Sequence, residues 1–387
     1  MENFNYWTPT RLLFGKGVIA QLPRVMRRFG PKVLLTYGGG SIKRSGLYDQ
    51  VKGLLANKEL HELGGIQPNP KYDPSVLQGV RLCKEHHIDV ILSVGGGSVL
   101  DCSKAIAGGA CYDGDPWDLV SGKAPTRAAL PIVDIITMAA TGSEYDAGGV
   151  ISHTALHDKR AYFSPLLYPA VSLIDPTYTY TVPPMQTIAG VADGINHIME
   201  QYFSAPGNDL SDGFCEAGVR TLMRNVHTVL RQPDDYEARA AIFLACTYGC
   251  NGIYALGIPH GGWPMHAIEH ALSAFYDITH GVGLAIITPH WMRHVLNERT
   301  APRFAKLGVN AMGVDAALPP MQAAERTIEA ISQFYEGIGM PMHLRQVGID
   351  EARIPEMARH VATHEGLEHA WAPLREEDIA AIMRAAL

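Results

Sequence analysis

The hydrophobic pattern of this chain changes near residue 182, and this change limits the possible folds more than any other feature. Before it, short runs of β-branched and aliphatic residues alternate with helical patterns, whereas after it apolar residues recur at helical spacing nearly to the end. Such alternation is typical of βαβ units that build a parallel sheet. The sequence therefore predicts an α/β domain over residues 1–181 and an all-helical domain over residues 182–387.

Individual segments refine this prediction. In the first domain, strands are predicted at residues 33–36, 61–63 and 89–94, at the start of PIVDIITMAATGSE, and within VSLID. In the second domain, helices are predicted at residues 185–203, 211–230, 235–255, 290–298, 319–338, 350–364 and 376–386, and in the histidine-rich stretch 266–286.

Two glycine loops each follow a predicted strand and precede a predicted helix. Their residues are Gly38, Gly39, Gly40 and Ser41 in the first loop and Gly95, Gly96, Gly97 and Ser98 in the second. Glycine allows close approach of the backbone, and a helix N-terminus offers unpaired N–H groups, so these junctions suit a pyrophosphate. Asp101 and Lys104 in the second helix favour this interpretation. The alternative is that the glycines only make tight turns, and neither loop matches GxGxxG, so an ordinary Rossmann fold is not implied.

A third segment offers further polar groups after a predicted strand. Thr137 and Thr141 could supply hydroxyls to a bound nucleotide. Lys159 is a candidate for a phosphate or ribose contact, although a solvated surface lysine is the ordinary expectation.

Histidines and one aspartate recur at helical spacing in the second half. Asp193 and His197 are four residues apart, as are His266 and His270, and His280 follows ten residues later. Residues four apart share a helix face. One carboxylate with two or three imidazoles suits Fe2+ or Zn2+ rather than Ca2+ or Mg2+. The alternative is that these are buried core histidines.

Composition excludes several classes of partner. The chain has 387 residues, 47% of them hydrophobic and 18% charged, and a formal charge of −7 without a basic cluster, so we expect no nucleic-acid partner. No segment resembles a membrane span or a signal peptide. Six cysteines without CxxC spacing indicate reduced thiols, which favours a cytoplasmic protein.

Four motifs together resemble the iron-containing (group III) alcohol dehydrogenases. They are GGGSxxD at residues 95–101, ATGSE at residues 140–144, the Asp193 and His197 pair, and HxxxHxLxAFYDxxHG at residues 266–281. Other segments, including TYGGGSIKRSG and GGIQPNP, resemble the butanol dehydrogenase and NADPH-dependent aldehyde reductase branch of that family.

The resemblance implies a fold, a reaction and a set of roles. The fold would be a Rossmann-like α/β nucleotide domain and a helical domain, in the architecture of dehydroquinate synthase. Asp193, His197, His266 and His280 would hold the metal, and His270 would lie near the nicotinamide. Asn69 and Lys159 match positions that contact the cofactor, and Gly95 to Ser98 would hold the pyrophosphate beside Asp101. We expect a homodimer acting on a small aldehyde or alcohol.

The resemblance also leads to expectations about mechanism and cofactor. A metal with three imidazoles and one carboxylate would polarise the substrate oxygen for hydride transfer. His270 is the candidate proton carrier. The residues of the first glycine loop themselves lead us to expect a preference for NADP(H) over NAD(H), because TYGGGSIKRSG contains no carboxylate but does contain Ser41, Lys43 and Arg44. Two alternatives remain: a cyclase or lyase of the dehydroquinate synthase type, and a sensor of metal or nucleotide without turnover.

Overall fold

The computed structural model describes residues 1–387, which form two compact units. One unit comprises Trp7–Val182, and the other comprises Pro183–Leu387 together with Met1–Tyr6. The backbone of Glu2 donates a hydrogen bond to the carbonyl of Gly257, which ties the N-terminal residues to the second unit. The predicted fold class, a parallel α/β sheet followed by a mostly helical region, is confirmed.

The first unit contains a six-stranded parallel sheet and a separate antiparallel hairpin. The strand order in the sheet is β1-β8-β5-β4-β2-β3, and β6 pairs with β7. The strands are β1 (Arg11–Phe14), β2 (Lys32–Tyr37), β3 (Glu59–Leu63), β4 (Val90–Gly95), β5 (Ile132–Ile136), β6 (Gly148–His153), β7 (Asp158–Phe163) and β8 (Val171–Ile174). The helices of this unit are α1 (Leu22–Met26), α2 (Ser41–Arg44), α3 (Leu47–Leu54), α4 (Leu77–His86), α5 (Gly97–Ala110) and α6 (Pro116–Val120).

The sheet register brings three loops to one edge. Tyr37 at the end of β2 lies opposite Val94 of β4, and Gly95 lies opposite Ile136 of β5. The loops after these three strands therefore emerge side by side at the carboxyl edge, where open α/β sheets bind ligands. β3 lies on one side of β2 and β4 on the other, so the direction of winding reverses between β2 and β4.

Aliphatic strand residues form the core of the sheet. Val33 and Leu35 of β2, Leu92 of β4 and Leu173 of β8 are fully buried in one cluster. Burial of each such side chain stabilises the fold by about 1.5–3 kcal/mol. These continuous apolar runs explain why the central strands were predictable. β1 is half exposed and β6 begins with two glycines, so neither the edge strand nor the hairpin was predicted.

The second unit is helical. Its helices are α7 (Pro184–Tyr202), α8 (Asp209–Arg231), α9 (Tyr236–Thr247), α10 (Pro264–Tyr276), α11 (His280–Val295), α12 (Ala301–Met312), α13 (Pro320–Gly337), α14 (Ile354–His364) and α15 (Glu376–Ala385). The central helix is α7, in which every residue from 187 to 202 is buried. None of the helices combines the length and the hydropathy needed to cross a bilayer.

Two helix predictions in this unit were wrong, and one helix was missed. Residues 235–255 do not form one helix, because α9 ends at Thr247 and Gly252 adopts a left-handed φ of 86°. Residues 290–298 are not a separate helix, because α11 continues through Pro289. Helix α12 was not predicted at all, although its first turn contains a proline, as helix starts often do.

Candidate functional site

Asp193 and His197 lie one turn apart on the buried helix α7. Prolines at 183 and 184 start this helix, and its apolar residues pack it among its neighbours. The side chain of Asn196 donates to the Tyr335 hydroxyl and accepts a hydrogen bond from Thr288 of α11. These bonds fix the rotation of α7, so Asp193 and His197 face a defined point.

His266 and His280 come from the next two helices. His266 lies in the first turn of α10, and His280 is the first residue of α11. Asp277 ends α10 in the left-handed conformation, with φ at 52°. Thr279 occupies the N-cap position of α11, but its side chain makes no capping hydrogen bond.

The ligand atoms of these residues converge on one point. The Oδ1 atom of Asp193 lies 3.4 Å from Nε2 of His197, 3.7 Å from Nε2 of His266 and 3.5 Å from Nε2 of His280. The Asp193 Oδ1 and His266 Nε2 atoms are buried and form no hydrogen bond. Four ligands placed tetrahedrally about 2.1 Å from one ion would be about 3.4 Å apart. The set therefore fits a divalent metal ion.

Two overlapping groups of three side chains each have ligand atoms that all lie close to one another. Asp193, His266 and His280 have ligand atoms all within 4.8 Å of one another, and so do Glu269, His270 and His280. His197 is outside the first group but stacks on His266 with ring centroids 4.7 Å apart. His270 is buried, and its ring centroid lies 5.6 Å from that of His280. The predicted residues are thus brought together, with His270 beside the other four.

Two buried glutamates complete the cluster, and sequence reasoning missed both. Oε1 of Glu200 accepts a hydrogen bond from the backbone N–H of His266 at 2.8 Å and lies 3.3 Å from its Nδ1. Oε2 of Glu269 contacts Nδ1 of His280. A buried glutamate within an apolar helix needs a hydrogen-bonding or charged partner. The position of both glutamates in apolar helical segments was therefore the signal by which the sequence could have indicated them.

The electrostatics of the cluster favour a cation. Burial alone would raise the pKa of Asp193, but the imidazoles around it hold that pKa well below its usual range. Burial lowers the pKa of His197 to about 4. Burial would also lower the pKa of His266, but Asp193 and Glu200 outweigh it and raise this pKa above its ordinary value. An ionised Asp193 and a neutral His197 are the forms that bind metal. The carboxylates of Asp193 and Glu200 also make the surroundings of His266 favourable for a positive charge.

The glycine loops of the first unit pack closely where the sheet register brings them together. A side chain on Gly97 would place its Cβ 2.4 Å from Oγ1 of Thr141, so only glycine fits at this contact. The backbone N–H of Thr137 donates to the carbonyl of Gly95 at 2.8 Å. At Gly39 a Cβ would meet no atom within 4 Å. The second and third loops therefore pack tightly against each other, whereas the first loop has open space at Gly39.

Asp101 and Lys104 hold the loop after β5 onto α5. The Asp101 carboxylate accepts hydrogen bonds from Oγ of Ser143 at 2.7 Å and from the backbone N–H of Val150 at 3.0 Å. The fully buried Nζ of Lys104 donates to the carbonyls of Ser143 and Gly148 and to the side chain of Asp146. The side chains of Asp101 and Lys104 thus form hydrogen bonds within the protein, and these bonds anchor the segment after β5 to α5.

The remaining cofactor-side candidates are also buried. Asn69 adopts a positive φ of 48° in the QPNP loop. Lys159 lies in β7 opposite Ser152 and is 4% exposed, so the ordinary expectation of a solvated lysine does not hold.

Known proteins match the chain along its whole length. A family described as iron-containing alcohol dehydrogenase matches residues 9–176, and the C-terminal part of the Fe-containing alcohol dehydrogenase family matches residues 187–387. The NADH-dependent butanol dehydrogenase A of Clostridium acetobutylicum is 40% identical over 99% of both chains. The NADPH-dependent aldehyde reductase YqhD of Escherichia coli is 38% identical over 94% of both chains. The crystal structure of NADH-dependent butanol dehydrogenase A from Thermotoga maritima has a TM-score of 0.95 and 38% identity, covering 100% of this chain and 99% of that one.

Proposed function

Because the chain belongs to the iron-containing alcohol dehydrogenase family and is an oxidoreductase of that family, we propose that it reduces short to medium-chain aldehydes with NAD(P)H. In this reaction the carbonyl carbon gains a hydride and the carbonyl oxygen gains a proton, which gives a primary alcohol and NAD(P)+. The reverse reaction oxidises the alcohol. The convergence of Asp193 Oδ1 with three imidazole Nε2 atoms carries this proposal.

Asp193, His197, His266 and His280 would hold one divalent ion, Fe2+ or Zn2+. When bound, the ion supplies Lewis acidity toward the carbonyl oxygen, and the reduced nicotinamide supplies the hydride. One carboxylate and three neutral imidazoles leave a net positive charge at this position. The buried surroundings of Asp193 and His266 keep water from weakening that charge.

His270 is the proposed source of the proton. It lies next to His280 without being one of the four proposed ligands. An imidazole titrates near neutral pH and can deliver a proton to the oxygen of the reduced substrate.

Trp263 is proposed as an apolar wall of the substrate site. Its ring centroid lies 5.0 Å from that of His266 and 5.7 Å from that of His197. A large indole ring in this position favours an aliphatic or aromatic aldehyde over a strongly charged substrate. A homodimeric state and a cytoplasmic location remain predictions.

The direct test is aldehyde-dependent loss of absorbance at 340 nm. Purified protein loaded with Fe2+ or Zn2+ is mixed with NADPH or NADH and a series of unbranched aldehydes. We expect turnover with at least one metal, at rates that depend on aldehyde chain length. Metal-replete protein that binds reduced cofactor but oxidises none of it with any aldehyde would overturn the proposal and favour a sensor.

NADPH is the proposed preferred cofactor, and the first glycine loop supports this. The Nη1 atom of Arg44 lies 3.7 Å from the position of a Cβ on Gly40, so its charge is next to the loop. Lys43 stacks over Tyr37 at 4.8 Å from the ring centroid. The carboxylate of Glu62, which the fold brings next to Tyr37, already accepts hydrogen bonds from the hydroxyls of Tyr37 and Tyr48. A 2′-phosphate would therefore meet cationic groups rather than a free carboxylate.

Gly39→Asp tests this preference. The new side chain fits without a clash, because no atom lies within 4 Å of a Cβ at Gly39. Repulsion between its carboxylate and a 2′-phosphate should lower kcat/KM for NADPH about tenfold, equivalent to about 1.4 kcal/mol, with little change for NADH. The matched control is Gly53→Asp, which adds the same charge at another open position of this unit. Wild-type protein that uses NADH at least as efficiently as NADPH would contradict the preference.

A further inference from the structure

Glu200 holds His266 through two atoms. It reaches from α7 to the first turn of α10, where its Oε1 accepts from the backbone N–H of His266 at 2.8 Å and lies 3.3 Å from the Nδ1 of the same residue. The first N–H groups of a helix have no partner within the helix, and a carboxylate there is favourable. One oxygen of Glu200 therefore fixes both the start of α10 and the orientation of the His266 ring.

Glu269 holds His280 in an equivalent way. Its Oε2 contacts Nδ1 of His280, and its Oε1 accepts a hydrogen bond from Oγ of Ser273. The glutamate is fully buried, whereas the His280 side chain is 22% exposed. A Cβ on Gly283 would lie 2.8 Å from Cγ of Glu269, so a glycine at this position of α11 makes room for the glutamate.

These contacts determine which ring nitrogen faces Asp193. A carboxylate on Nδ1 keeps the proton on that nitrogen, which leaves the Nε2 lone pair free. The Nε2 atoms of His266 and His280 are those that lie 3.7 Å and 3.5 Å from Oδ1 of Asp193. The two carboxylates thus hold both rings with Nε2 toward Asp193, which is the orientation that a metal ligand requires.

We propose that Glu200 and Glu269 are positioning residues that preset the rings of His266 and His280 for metal binding. This inference rests on the metal site of the proposed function. Neither glutamate is a ligand in this scheme, because each acts through the imidazole that it contacts. Carboxylates that contact metal-bound histidines typically increase metal affinity about 10- to 100-fold.

The test compares cobalt binding to variants of the full-length chain. Metal-free protein is prepared by chelation and titrated with Co2+, whose visible absorption reports ligand geometry. Glu269→Gln keeps the shape and an acceptor oxygen but removes the charge, and Glu269→Leu also removes the acceptor. We expect Kd for Co2+ to rise about tenfold for Glu269→Gln and about a hundredfold for Glu269→Leu, with a shifted absorption band in both. Glu200→Gln should behave like Glu269→Gln.

Glu216→Gln is the matched control. Glu216 is also a buried glutamate of the helical unit, but its Oε1 accepts hydrogen bonds from Tyr202 and Asn310 instead of from a histidine. A purely structural role for the two glutamates would lower the unfolding midpoint of all these variants without changing the cobalt band. The control is therefore expected to lose stability while keeping wild-type cobalt affinity and spectrum.

The outcomes separate this inference from the proposed function. Wild-type protein that binds no cobalt would overturn both. Wild-type protein that binds cobalt and reduces aldehydes, with Glu200 and Glu269 variants that match the Glu216 variant in affinity and spectrum, would overturn the inference alone. The graded loss from Gln to Leu at position 269 would support it.

Discussion

Asp193 is the residue on which the proposed metal centre depends most, since its Oδ1 is the common neighbour of three imidazoles. His280 is the most exposed of these partners, at 22%, and its Nδ1 is already held by Glu269. Truncation of a partly exposed side chain costs less stability than truncation of a fully buried one, because it leaves a smaller enclosed cavity. Replacement of His280 should therefore affect metal binding more than folding.

His280→Ala is expected to lose the metal and to lower kcat by about a thousandfold, because the proposed metal would supply several kcal/mol of transition-state stabilisation. Metal content measured by atomic absorption, alongside circular dichroism of the same sample, checks this. A variant that retained one metal per chain and full turnover would show that His280 is not a ligand.

His270→Ala should behave differently from His280→Ala. A proton carrier contributes about 100-fold or more to the rate but does not determine metal occupancy. We expect lowered kcat with a stoichiometric metal. Parallel metal analysis and steady-state kinetics are the measurements, and loss of the metal in this variant would instead make His270 a ligand.

For individual residues, the sequence predicts the histidines and the aspartate of the cluster but misses its two glutamates. Helical spacing predicted that Asp193 and His197 share a face of α7, and the family resemblance implied that His266 and His280 join them. Glu200 and Glu269 were not predicted, because spacing along one helix does not say which ring of another helix a carboxylate reaches. Such contacts depend on the packing of α7, α10 and α11.

At the element scale, the start of α11 is set by a contact between two backbones. A Cβ on Gly281 would lie 2.0 Å from the carbonyl oxygen of Ala189 in α7. Only glycine allows the two helices to approach this closely, and the approach places His280 next to Asp193. We therefore expect Gly281 to position the proposed ligand His280 through this backbone contact.

Gly281→Ala should push α11 away from α7. We expect a loss of about 1–3 kcal/mol in the free energy of unfolding and a weaker affinity for Co2+. Chemical denaturation and metal titration measure the two effects. Gly213→Ala is the control, because Gly213 lies in α8 with no atom near its Cβ position, and alanine there should stabilise the helix by up to about 1 kcal/mol. Unchanged metal affinity in Gly281→Ala would mean that the backbone contact does not position His280.

Strands that are buried in the centre of the sheet were easier to predict than those at its edge or outside it. The strands β2 and β4 lie in the centre of the sheet and consist of continuous apolar runs, so their positions were predicted to within one or two residues. The hairpin of β6 and β7 was missed because its strands start with glycines or charged residues, and Lys104 and Asp101 anchor it from α5. These long-range bonds leave no local pattern in the sequence.

At the scale of the whole molecule, the two units hold different parts of the proposed reaction. All four proposed metal ligands belong to the unit containing Pro183–Leu387, and all three loops at the carboxyl edge of the sheet belong to Trp7–Val182. The change in hydrophobic pattern near residue 182 was enough to predict this division of secondary structure. It could not show that Met1–Tyr6 groups with the helical unit, because this depends on backbone contacts such as that between Glu2 and Gly257.

This separation predicts two distinct patterns of hydrogen exchange in the full-length protein. A ligand at 100 times its Kd stabilises the native state by about 2.7 kcal/mol, and amides that exchange only when the ligand site opens are slowed accordingly. Co2+ added to metal-free protein should slow exchange in α7, α10 and α11, which carry the proposed ligands. NADPH alone should slow exchange around residues 38–41 and 95–98. Mass spectrometry of peptides from α14, which supplies no proposed ligand, provides an internal control in the helical unit. If cobalt slowed exchange in β4 and α5 as much as in α7, with little effect in α10 and α11, the metal would be bound by other residues than those proposed.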